Sequence, residues 1–145
     1  MQNAITELEQ LTLTSRAKGF LKETAKWCKF LSILGFLGLG LLFLSSFFIS
    51  TIYASMPQST SIPFNLGTAM TIFYIIMIAI YIFPLYYLHQ FSVKLKKAVT
   101  SKDDEVLASA FEMLKSHYKF VGVFTIIMLS IYILAGIAGL MGAIV

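Results

Sequence analysis

Three side chains have the donor types of a transition-metal site: Cys28, His89 and His117. A thiolate with two imidazoles suits zinc, and Glu23 would be a conceivable further ligand. Each of the three lies just beyond the lysine-rich end of a different apolar run. If His89 and His117 flank a hairpin centred on Asp103, they stand level, fourteen residues on either side of it. No close-spaced ligand pair anchors the set, however. Histidines at a membrane boundary also serve as hydrogen-bond donors, so the sequence assigns no metal and no cofactor.

A second group of residues can bind anions. Lys22, Lys26 and Lys29 precede the first apolar run, and Lys94, Lys96 and Lys97 follow the second. Lysines clustered beside apolar segments attract anionic lipid headgroups, each contributing about 1 kcal/mol near a charged surface. They also act as topology signals. Catalytic chemistry has less to work with. There is no nucleophile paired with a base and no phosphate-cradling loop, since Gly35, Gly38 and Gly40 sit inside an apolar helix. Asp103, Asp104 and Glu105 are consecutive, which suits helix capping rather than paired acid and base work. No enzyme is expected, and no nucleic-acid motif accompanies the net charge of +4.

The elements that must position these residues follow from solvent preference. Of the 145 residues 58% are hydrophobic and 12% charged, and the mean hydropathy is +0.83. A water-soluble domain carries about 25% charged residues, so lipid must solvate much of this chain. Three stretches hold no Asp, Glu, Lys, Arg or His: 30–54, 66–88 and 120–145. Each matches or exceeds the ~20 residues that a helix needs to cross the hydrocarbon. Lipid offers backbone groups no partners, which selects helix. The expected fold is an all-α integral membrane protein with three transmembrane helices, forming a single domain.

All eleven Lys and Arg residues lie either before the first span or between the second and third. The positive-inside rule then places the amino terminus and the 89–119 segment in the cytoplasm, and Val145 outside. The expected location is the inner (cytoplasmic) membrane. Residues 1–14 have weak helical character and are expected to be a mobile leader. Ser15 is the expected N-cap of an amphipathic helix over 15–29, with Ala17, Phe20, Leu21, Thr24 and Trp27 on its apolar face. The 55–65 connector carries Pro57 and Pro63 and reads as a turn-rich outer loop. Residues 89–119 are expected to extend the second and third spans as a helical hairpin that turns at Ser101 to Asp103. Leu107, Ala110, Phe111, Leu114 and Tyr118 form the apolar stripe of its second arm.

Two features concern packing. Ser46, Ser50 and Ala54 share a face of the first span, as do Ala135, Gly139 and Ala143 in the third. Small faces let helix backbones approach closely in lipid. Packing of the first helix on the third within one chain is favoured, with self-association as the other outcome. Pro84 removes a backbone donor inside the second span and produces a kink, or less simply a hinge.

The strings Leu21-Lys-Glu-Thr-Ala-Lys-Trp27, Phe91-Ser-Val-Lys-Leu-Lys-Lys-Ala98, Ala110-Phe111 and Leu114-Lys-Ser-His-Tyr-Lys-Phe120 together resemble a family of small bacterial membrane proteins. It is catalogued only as a domain of unknown function, number five-three-six-two. The resemblance covers most of the chain from about Phe20 onward. It implies several membrane helices and a bacterial origin, and brings no activity, substrate or site residue. The expectation is a non-enzymatic membrane protein acting through protein or lipid contacts, as an accessory or scaffold subunit. Its partners would be the bilayer, anionic headgroups, and a second copy or another membrane protein. The alternative is an oligomeric channel or carrier for small solutes. The spans contain no ionisable residue, which argues against ion-coupled transport by one subunit.

Overall fold

The computed structural model describes residues 13–55 and 65–144, with the backbone alone for Ser50, Ala54, Ala143 and Ile144. The expectations for a mobile leader and an outer loop fall almost wholly on residues outside this range. Three helices account for nearly all the described residues: α1 (Ser15–Ala54), α2 (Leu66–Ser101) and α3 (Asp104–Ile144). They have 40, 36 and 41 residues. At 1.5 Å per residue each is about 55–60 Å long, nearly twice the thickness of a hydrocarbon core. All three are long and apolar enough to cross a membrane. Each continues well beyond its charge-free stretch, without a break, into a charged segment.

The caps follow from local chemistry. Thr14, not the expected Ser15, caps α1: its side chain accepts the amide hydrogen of Ala17 at 3.2 Å. Adjacent hydroxyls both qualify by type, and the one whose backbone is extended takes the role. Asn65 caps α2 by accepting from Thr68. α2 ends at Lys102, whose φ of 56° and ψ of 42° are left-handed, so the chain reverses in two residues. Asp103 Oδ1 then accepts from the amides of Glu105 and Val106 at 3.0 and 3.1 Å, and Asp104 and Glu105 suit the positive end of the α3 dipole.

α2 packs against both α1 and α3, which do not meet each other among the described residues. This corrects the expectation that the first helix packs on the third. Ser46 is buried against α2, where Thr71 donates to the carbonyls of Gly67 and Ser46 at 3.0 and 3.4 Å. Ala135 and Gly139 are exposed, and nothing lies within 4 Å of where a Gly139 Cβ would stand. Helices consecutive in sequence are the usual neighbours in space. α1 meets Thr71 of α2 through the Ser46 carbonyl, and Gly35 lets Leu85 seat directly on its backbone.

The core sits at the charged end. Phe91 and Leu95 from α2 are buried between Ala25 of α1 and Ala110 of α3, with Leu21, Cys28, Leu107 and Leu114 around them. Water drives apolar surface together, whereas lipid does not distinguish a neighbouring helix from its own tails. Burial of apolar side chains is concentrated where the helices leave their charge-free stretches, at Ala25, Phe91, Leu95, Ala98 and Ala110. Every residue from Leu129 to Gly142 is exposed. The packed face of α1 also differs from the expected one. Leu21, Ala25 and Cys28 face α2, while Phe20 and Trp27 point outward, more than half exposed. In α3, Tyr118 lies off the packed stripe and is exposed, whereas His117 is turned inward. Small residues permit close helix approach, and the bulky aromatics are left to the periphery.

Candidate basic groove and the two histidine clasps

The face of α1 that bears Lys26 and Lys29 meets two rows of α2, each at four-residue spacing: Ser92, Lys96, Thr100 and Val93, Lys97, Ser101. Ala25 lets the two helices close at its floor. The resulting groove encloses about 440 Å³ and is lined by four lysines and no carboxylate. The hydroxyls are committed elsewhere. Ser92 Oγ donates to His89 O at 2.7 Å, Thr100 to Lys96 O and Ser101 to Lys97 O, both at 2.9 Å. Donation to an anion in the groove thus falls to the four ammonium groups. Like charges gathered within about one screening length repel one another, and a bound anion relieves that repulsion.

Four of the six lysines named from the sequence come together here, and two do not. Lys94 turns to the opposite side of α2, where its Nζ donates to Ser109 Oγ of α3 at 2.8 Å. Lys22 lines a neighbouring concavity of α1 with Glu23, Trp27 and Phe30, which shares Lys26 with the groove. Position along a helix, not membership of a cluster, decides the face: residues two apart point in nearly opposite directions. Ser92 and Thr100 escaped the sequence reading, although their four-residue spacing around Lys96 was a usable signal.

The structure does not gather Cys28, His89 and His117. Among the described residues no group of three His, Cys, Asp or Glu side chains is placed to share a metal ion. Each histidine instead clasps a helix pair. Ser32 Oγ donates to Lys29 O at 2.8 Å, so it accepts from His89 Nδ1 at 3.1 Å, joining α2 to α1. His117 Nδ1 donates to the carbonyl of Pro84 at 2.8 Å, joining α3 to α2. Pro84 is buried within a continuous α2, and its missing N–H leaves the Ile80 carbonyl without its helical donor. Cys28 is half-buried beside the core, and that burial pushes its thiol up from the ordinary value. Ser32 and Pro84 were not anticipated as partners, because nothing local to either residue marks an interhelical hydrogen bond.

Compared with family models, curated proteins and solved structures, the chain matches none. Function therefore rests on the geometry alone. That geometry offers a cationic groove between α1 and α2, two polar clasps across the helix pairs, and a long apolar remainder.

Proposed function

We propose that this chain is a non-enzymatic, multi-pass protein of the bacterial inner membrane that acts through lipid or protein contacts, as an accessory or scaffold subunit. Its amino terminus and charged segments face the cytoplasm and Val145 lies outside, because all eleven Lys and Arg residues fall at one end of the three helices. On this reading residues 15–29 are the outward continuation of the first span. Residues 89–119 form a cytoplasmic hairpin whose arms rise about 20 Å above the bilayer.

The observation that carries the reading is the groove of Lys26, Lys29, Lys96 and Lys97. Lys29 immediately precedes the apolar stretch of α1, so the groove opens at headgroup height, where anionic lipids of the cytoplasmic leaflet are within reach. The test is lipid capture by the detergent-purified protein, counted by native mass spectrometry against phosphatidylglycerol and phosphatidylcholine. Changing all four lysines to glutamine removes up to about 4 kcal/mol of headgroup attraction. The preference for the anionic lipid then falls steeply, and added salt weakens it in the wild type. An undiminished preference in the quadruple variant refutes the groove as the contact.

A further inference from the structure

A second cleft lies on the other side of α2, between it and α3. It is an open cleft of about 400 Å³ lined by Tyr87, Ser116, Lys119, Phe120, Val123, Phe124 and Ile127. These residues are ordered by polarity along the helix axis. Ser116 and Lys119 stand at the charged end, Phe120 begins the charge-free stretch, and Val123, Phe124 and Ile127 continue down one face of α3 at helical spacing. From Lys119 to Ile127 the cleft runs about 12 Å, within one leaflet of a ~30 Å hydrocarbon core. Below it α2 gives no cover: the last ring contact between the helices is Tyr81 on Phe124 at 5.7 Å, and α3 is exposed from Leu129 onward.

We infer that this cleft holds one anionic glycerophospholipid of the cytoplasmic leaflet, with its phosphate on Lys119 and an acyl chain against Val123, Phe124 and Ile127. The charge is complementary: Lys119 is the only residue of the lining that is charged at neutral pH, and no carboxylate opposes it. The Ser116 hydroxyl donates to Glu112 O at 3.0 Å, which leaves its lone pairs turned to accept from a headgroup hydroxyl. A soluble anion would satisfy Lys119 and leave the apolar wall in contact with tails. A zwitterionic lipid would fill the wall but bring its choline cation along with its phosphate, so the net charge beside Lys119 favours the anionic lipid. The site is separate from the basic groove, which α1 and α2 form without α3.

Photo-crosslinking tests it. The full chain is placed in phosphatidylcholine nanodiscs containing a trace of phosphatidylglycerol with a photoreactive group near the glycerol, and adducts are mapped by mass spectrometry. Adducts are expected at residues 116–127 and Tyr87, above the level along residues 129–142. Lys119→Gln lowers their yield roughly fivefold, the weight of one lysine near a charged surface, and Lys119→Arg restores it. Ile127→Trp, which fills the apolar end, also removes them. Lys26→Gln with Lys96→Gln leaves them unchanged, which separates this cleft from the groove. The inference is overturned by adducts spread evenly along α3, by equal labelling from photoreactive phosphatidylcholine, or by inorganic phosphate displacing the lipid.

Discussion

Leu95→Ala separates a bundle held from outside the apolar zone from one held within it. Leu95 is 0% exposed at the meeting point of all three helices. Ala25 and Ala110, the small members of the same buried cluster, have no atoms beyond Cβ to move into the vacated space. Phe91 is held against Phe111, with ring centroids 6.1 Å apart, so it cannot swing across without giving up that contact. The cavity therefore persists, and the loss is that of a well-packed leucine, about 3 kcal/mol. This corresponds to about 150-fold in the equilibrium for opening the charged end. The assay is hydrogen exchange followed by mass spectrometry on the detergent-purified protein, read at amides of α2 from Leu88 to Ser101 and of α3 from Asp104 to His117. Protection there is expected to fall by about that factor. Leu134→Ala, at a residue 66% exposed on the unpacked part of α3, is expected to change it by less than about 0.5 kcal/mol. Protection within about twofold of wild type in Leu95→Ala would show that the small core does not hold the helices together.

Three further outcomes follow from the same geometry. The raised Cys28 thiol holds less thiolate at neutral pH than an ordinary cysteine, so alkylation by iodoacetamide is slow at pH 7 and accelerates only above the usual thiol range; Leu95→Ala, by opening the core beside it, speeds the reaction. Asp103→Ala removes the acceptor for the Glu105 and Val106 amides and costs about 1 kcal/mol, seen as faster exchange at those two positions. Lys102→Gly relieves the left-handed backbone and raises thermal stability by roughly 0.5–1 kcal/mol; an unchanged melting temperature contradicts that geometry.

The three helices were legible because the signal is the absence of charge over a length that lipid itself sets. The reversal after α2 was legible too, since an Asp followed by two acids can only begin a helix well. Which helix would lie beside which was not. A stripe of small residues states that a backbone can approach another closely, and says nothing of whose. Ser46 found Thr71, while the matching stripe at Ala135 and Gly139 has no neighbour among the described residues. The candidate site was half legible for a similar reason. Lysines were grouped by proximity in sequence, and the helix then sent Lys94 to Ser109 and gave Lys96 and Lys97 to the groove. The histidines were visible as unusual residues, but their partners, a serine hydroxyl and a proline carbonyl on other helices, exist only once the register is fixed.

The uneven fastening of the helices has a mechanical consequence. α1 and α2 are joined along their length, at Ser32 with His89, Gly35 with Leu85 and Ser46 with Thr71, and must lean as one body. α3 is tied to α2 above Phe124 and, among the described residues, exposed from Leu129 onward. In a thinner or thicker bilayer the first two helices are expected to share a single compromise of tilt, while the lower part of the third, exposed among the described residues, is expected to adjust its own angle. On the proposed membrane location, bilayer thickness is expected to set the splay between the third helix and the other two.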